Sequence, residues 1–255
     1  VVARCEKHGT ISSGGTNFFA EKEETMTDID RSANNAGYPE DWLTRSYLVG
    51  HPLEQMEDST EVLAIYQNVL KDDPRNIVVY LLQGLALLRL EREDEGYKSV
   101  QKALLLAEEA IQKNVNDALA HVYRADALWL LGMNEQALDE YDQAIQLAPD
   151  DPMAYVNKGW VLFTLNRHEE ALALYRHAEE LRPQDPDILS RESNVFWELH
   201  QYEEALRLIE QAIAIDPSQP RFYADKATTL SYMGHEEESR EAVAIYHRLL
   251  QSVHP

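Results

Sequence analysis

The side chains able to do acid–base or metal chemistry are scattered along this chain and nowhere grouped. The nine histidines are His8, His51, His121, His168, His177, His200, His235, His247 and His254. Metal-dependent hydrolysis needs imidazoles and carboxylates converging on one point, which a helix supplies when two histidines four residues apart bracket a glutamate. No pair here has that spacing or any other tight ligand spacing. Adjacent carboxylates such as Glu169 and Glu170 diverge on a helix, because only side chains three or four residues apart share a face. The chain has no glycine-flanked serine elbow, and no glycine-rich phosphate loop follows a strand. The one cysteine, Cys5, closes no internal disulfide and supports no thiolate zinc cluster. The expectation is a non-catalytic protein with no catalytic residues, no cofactor and no metal.

Charge and length narrow the remaining classes. Among 255 residues, 23 are basic and 45 acidic, a formal charge of -22. A field of that sign repels phosphate backbones and anionic lipid heads, so nucleic acid is not an expected partner. The longest apolar stretch, Val78 to Leu88, is 11 residues, well short of the ~20 that span a bilayer. No basic stretch followed by an apolar core opens the chain. A cytoplasmic protein without membrane insertion is expected. Residues 1–36 mix Gly14, Gly15, serines, threonines and the charged run Glu21 to Glu24 without helical or strand period, and read as a mobile leader. Met26 is a candidate native start.

Further along, the sequence repeats. Pro149, Pro183 and Pro217 stand 34 residues apart, as do Ala137, Ala171, Ala205 and Ser239, and as do Ala125, Gly159, Ser193 and Ala227. Within each period apolar residues recur at three and four, as in Leu138, Tyr141 and Ile145, so each unit is two amphipathic helices joined by a turn. The small residues fall where two antiparallel helices cross closely. Large ones such as Leu128, Leu162, Phe196 and Leu230 fill the space around that crossing. Gly132, Asn166, His200 and Gly234 recur at the end of the first helix, and are types that tolerate the left-handed conformation of a helix C-cap. Asp151-Pro152 and Asp185-Pro186 set a capping carboxylate before a proline at the first helical position.

A 34-residue two-helix unit with these small columns, an aromatic in the second helix (Tyr141, Tyr175) and a closing proline resembles the tetratricopeptide repeat. The match is close over residues 118–219. The resemblance implies an all-α fold, a right-handed superhelical solenoid of antiparallel helix pairs, with units at 118–151, 152–185 and 186–219 and a capping unit at 220–255. Upstream, 77–117 reads as a unit with an extended second helix: Gly84 to Ala110 is 26 residues against 19 from Gly159 to Ala178, an insertion of about two helical turns. Residues 37–76 read as a degenerate unit in which His51-Pro52 breaks the first helix.

In this family the first helices line the concave face. Projected onto it, the groove holds Leu85 and Leu88, then Val122, Asp126 and Trp129, then Val156, Asn157, Trp160 and Phe163, then Arg191, Asn194 and Trp197, and finally Tyr232. Three of the four tryptophans fall there, and buried tryptophans often contribute ~2 kcal/mol or more to an interface. The resemblance implies a scaffold or assembly factor that takes a protein or peptide in an apolar, tryptophan-lined groove. The alternative is the recognition module of an enzyme complex whose catalytic subunit is separate. Residues 118–219 carry 7 basic and 19 acidic side chains, so the favoured ligand is amphipathic or basic. Family members that hold chaperone tails use a clamp of Lys, Asn and Arg. Asn157 and Arg191 match two of its columns, but Val122, Asp126 and Asp187 stand where other clamp residues belong, so that ligand is not expected. Curvature alone could instead bury the tryptophans against neighbouring units. Two other occupants of the groove are a second copy of the chain and the amphipathic segment Trp42, Leu43, Tyr47, Leu48 and Val49, acting as an N-terminal plug.

Overall fold

A computed structural model describes residues 59–253. The leader, Met26, the proposed plug from Trp42 to Val49 and His51-Pro52 lie outside the described residues. Among the described residues eleven helices follow one another: α1 (Ser59–Asp72), α2 (Ile77–Arg89), α3 (Glu93–Lys113), α4 (Ala118–Leu130), α5 (Asn134–Leu147), α6 (Pro152–Thr164), α7 (His168–Leu181), α8 (Pro186–Glu198), α9 (Tyr202–Ile215), α10 (Pro220–Tyr232) and α11 (Glu236–Val253). The described residues form an all-α solenoid in which each helix packs mainly on its neighbours in sequence. Helix α3 has 21 residues where α5, α7 and α9 have 14, so the additional seven continue one helix.

Close approach within each pair rests on the small columns. Ala125, Ala137, Ala171 and Ala205 are fully buried. At Gly159 an added Cβ would stand 2.7 Å from Cε1 of Tyr175, a ring that is itself buried. Where serine replaces alanine, its hydroxyl spans the crossing: Ser193 donates to the carbonyl of Ala205, and Ser239 to that of Ala227.

The turn inside each pair is a Schellman motif. Gly132, Asn166, His200 and Gly234 all have φ between 59° and 82°, as their column leads one to expect. The N–H of the following residue returns to the first helix, for example Met133 to Leu128 and Gln201 to Phe196, each 2.9 Å. Glu91, with φ 59°, holds the same place in the α2–α3 turn, and its residue type gives no hint of it. Between pairs, the carboxylates of Asp117, Asp151 and Asp185 accept from N–H groups in the first turns of α4, α6 and α8, closing open helix starts. A second tie recurs six residues back along the chain: the hydroxyls of Tyr155 and Tyr223 donate to the carbonyls of Pro149 and Pro217. In α4 the buried His121 does this with Nε2 to Val115, while its Nδ1 faces Glu140 at 2.8 Å. That gives His121 a structural role.

Curvature follows from unequal contact. The first helix of one pair touches the first helix of the next at α2–α4, α4–α6 and α6–α8, and no second helices come comparably close. The stack is therefore compressed on the side of α2, α4, α6 and α8, which makes that side the inner face.

The crossing at Gly159 leads to a direct prediction. Gly159→Ala should cost about 1–3 kcal/mol by overpacking against Tyr175, and Gly159→Leu should prevent a cooperative fold. Urea unfolding followed by circular dichroism measures both, and an unchanged midpoint for either would rule out this crossing.

Candidate functional site

The residues assigned to the groove come from the first helices α2, α4, α6, α8 and α10 and lie at very different depths. Val122, Asp126, Val156, Asn157, Phe163 and Arg191 are buried, none more than 7% exposed. Leu85, Leu88, Trp129, Trp160, Asn194 and Trp197 are half-buried, and Tyr232 is 52% exposed. Each tryptophan closes part of the core from the inner side. Trp129 packs on the clusters around α2 and around α4, Trp160 on those around α2 and α6, and Trp197 on that around α8 and α9. They are seam residues, half-buried where these clusters adjoin.

Beneath them runs a buried polar chain. Asp126 of α4 accepts from the Tyr141 hydroxyl of α5 and, at 3.2 Å, from the Asn157 amide of α6. Burial lifts the Asp126 carboxyl to about 7, against the opposing pull of those two donors, and lifts the Tyr141 phenol well above its ordinary value. One unit on, the Arg191 guanidinium lies over the Trp160 ring, 5.8 Å from its centroid, and hydrogen-bonds the buried Tyr175 hydroxyl. Asn157 and Arg191 are thus interior links between units, neither solvated groove polarity nor donors open to a ligand's carboxylate. Asp187 is also committed, because Arg221 of the next unit pairs with it.

On the second-helix side, cations of the first helices pair with acids: Arg124 with Glu140, Lys158 with Asp142 and Lys226 with Glu210. Glu192 interrupts that column. It is 3% exposed, and burial, helped by Glu179 and opposed by Arg176 and Arg207, raises its carboxyl to about 7.

At the turn edge, two aromatic groups that the groove projection passed over, His168 and Tyr202, meet residues that it included. Phe163 meets His168 at 5.4 Å between centroids, and Tyr202 joins Trp197 and Tyr232. His168 is half-buried. The signal for Tyr202 was in the sequence: its column otherwise holds Asn134, His168 and Glu236, so a tyrosine there is out of character. At the opposite edge, a cleft of about 680 Å³ is lined by Asp151, Asp185, Asp187 and Asp216 among others. These acids are all engaged, as caps, with Arg221, or with Ser218 and Gln219. Among the described residues no group of His, Cys, Asp or Glu is arranged to hold a metal ion.

Two sequence profiles, both described as tetratricopeptide repeat, match residues 98–152 and 131–186 and residues 162–227. Together they span slightly more than half of the chain. The chain belongs to the tetratricopeptide repeat family. No curated protein sequence matches it. Solved structures with a similar fold include MamA (15% identity, TM-score 0.54, covering 63% of this chain and 94% of that one). Another is MamA from Desulfovibrio magneticus, from its residue 41 to the end (19%, 0.54, 77% and 98%). A third is a thermophilic tetratricopeptide repeat protein of Thermus thermophilus (19%, 0.53, 68% and 90%). At these identities the likeness extends to the fold alone. No described helix of this tetratricopeptide array is long and apolar enough to cross a membrane.

The two raised carboxyls fix the sign of a pH effect. Their folded-state values near 7 exceed the ordinary ~4 of an unfolded chain, so the folded array keeps protons that the unfolded chain releases. The resulting stability is fully present below the unfolded value and is lost as pH rises through 7. Urea unfolding should show the array more stable at pH 5.5 than at pH 8, on the order of 2 kcal/mol. Asp126→Asn should reduce that slope and stabilise the protein at pH 8. A slope of zero or the opposite sign would contradict the assignment.

Proposed function

We propose that this tetratricopeptide array is a protein-interaction scaffold that holds a peptide or helix of its partner along the inner face. The observation behind this reading is the row of half-buried tryptophans. Trp129, Trp160 and Trp197 come from three successive first helices, the helices that approach one another along the stack, and each is half-buried. A partner that covers them removes apolar surface from water over a rigid, already ordered platform, so little ordering cost opposes binding. Leu85 and Leu88, also half-buried, extend the apolar floor toward α2.

The ligand's character follows from the charge. With 45 acidic and 23 basic residues in the chain, a cationic segment is steered in and an anionic one repelled. The segment we propose is therefore amphipathic and basic, apolar toward the tryptophans and cationic toward the rim. A carboxylate-terminated tail fits poorly, because Asn157 and Arg191 are spent on Asp126 and on Trp160 with Tyr175.

Because the tryptophans also close the core, replacing all three with alanine would confound binding with folding. A cleaner test uses Thr164, which is exposed at the end of α6 and stands two periods before Tyr232 in the same column, and Gln143, exposed on α5. Panning a random 12-residue peptide library against the intact chain should return basic sequences with apolar side chains at helical spacing. Thr164→Arg should weaken the best of them about tenfold or more, in fluorescence anisotropy, by placing bulk and like charge in their path. Gln143→Arg should leave them unchanged. Peptides that ignore Thr164→Arg, or that respond equally to Gln143→Arg, would place recognition elsewhere.

A further inference from the structure

One column of the first helices carries Arg124, Lys158, Glu192 and Lys226. Lys158 and Lys226 each pair with the acid 16 residues before them on the preceding second helix, Asp142 on α5 and Glu210 on α9. The residue at the same distance before Glu192 is Arg176 on α7, so the rung between α7 and α8 has its signs exchanged. That rung is not closed. Arg176 is exposed and enters no ion pair among the described residues; its guanidinium lies 6.0 Å from the centroid of the Phe196 ring instead.

Glu192 is 3% exposed, and its Oε1 is buried without a hydrogen-bond partner. A carboxylate so placed carries a large desolvation cost, which keeping a proton removes. Two cations and two acids face it: Arg176 and Glu179 from α7, and Glu204 and Arg207 from α9. Helices α6 and α10 add no charged group to this set. Arg207 is already held by Glu204 through both Nε and Nη2, which leaves Arg176 as the cation without a carboxylate. Phe196 stands four residues after Glu192, so the ring under Arg176 and the carboxyl share a face of α8, about 5–6 Å apart at their Cβ atoms.

We propose that Glu192 and Arg176 form a proton-gated clasp between two successive units. While Glu192 keeps its proton, Arg176 rests on Phe196; when the proton passes to solvent, the guanidinium crosses one helical turn to pair with the carboxylate and ties α7 to α8. The ring and the carboxylate are alternative seats for one guanidinium, and the charge on Glu192 decides between them. The other rungs in this column have no such gate, because their acids and lysines stand charged against each other at the edge of the stack. A folded-state value raised to about 7 makes stability fall as pH rises through it, and closing the clasp offsets part of that fall.

The test is a double-mutant cycle at two pH values. Urea unfolding of the full chain, Glu192→Gln, Arg176→Gln and the double variant gives the coupling between the two side chains. It should stay within about twofold of unity in the unfolding equilibrium constant at pH 5.5 and reach about fivefold or more, favouring the folded state, at pH 8.5. Asp126 is intact in all four proteins, so its titration cancels. A cycle with Arg207→Gln in place of Arg176→Gln should give the weaker coupling at pH 8.5. Carbon-13 NMR of the glutamate carboxyls, assigned through the backbone, reads the folded chain independently: Glu192 should titrate near 7, and higher in Arg176→Gln. Equal coupling at both pH values, none at pH 8.5, stronger coupling to Arg207, or a Glu192 titration that Arg176→Gln leaves in place would overturn the proposal.

Discussion

The close crossing of two antiparallel helices within each unit is the constraint from which the rest of the array follows. It is set where a small residue of the first helix faces an aromatic ring or a small residue of the second, as at Gly159 against Tyr175. The small partner lets the helices approach, and buried rings such as Tyr141 and Tyr175 then fill the space beside the crossing. Because dispersion falls steeply with separation, a fraction of an ångström at this point spreads over every contact between the pair. The crossing also fixes how the unit presents its first helix to the next unit. Repeating one crossing along the chain therefore produces one curvature, and with it the inner face on which the tryptophans stand.

The turns convert that crossing into a regular path. A left-handed residue at the end of each first helix lets the following N–H return to the helix it has just left, so the second helix starts at a fixed angle within one or two residues. The tyrosine-to-carbonyl ties at Tyr155 and Tyr223 do the corresponding work between units, joining each first helix to the end of the previous second helix. Leu189 stands in that column without a hydroxyl, so α8 lacks this tie to the end of α7, while Arg221 with Asp187 links α8 onward to α10. The array tolerates the loss of one tie because each interface is held by several independent contacts.

Much of this was written in the sequence, since columns with a common period report backbone geometry directly. Gly132, Asn166, His200 and Gly234 announced the left-handed positions, and Asp151 and Asp185 announced the caps. Glu91 was hidden twice, by a residue type that rarely takes positive φ and by the seven residues added to α3, which move it out of register. The inner face was legible as a set of positions but not as a surface. Projection on a helix tells which side a residue faces, whereas depth depends on how tightly successive first helices close together. That closing is why Val156, Asn157 and Arg191 are interior while Tyr232, projected onto the same face, stands out.

The buried polar chain shows how the same closing shapes what the face can bind. In most soluble proteins Asp126 and Arg191 would be surface charges, but here the approach of α4, α6 and α8 encloses them and sets Tyr141, Asn157, Trp160 and Tyr175 against them. Buried polar groups must find partners or carry a desolvation penalty, so these residues are consumed in joining units and are withdrawn from recognition. Of the residues projected onto the inner side, those left half-buried are the three tryptophans, Asn194, Leu85 and Leu88. For the ligand proposed above, an apolar floor beneath a negative rim would discriminate by both terms at once. On the proposed reading, apolar anionic segments would lose on charge, basic segments without apolar side chains would lose on burial, and only a segment with both properties would gain from the whole face.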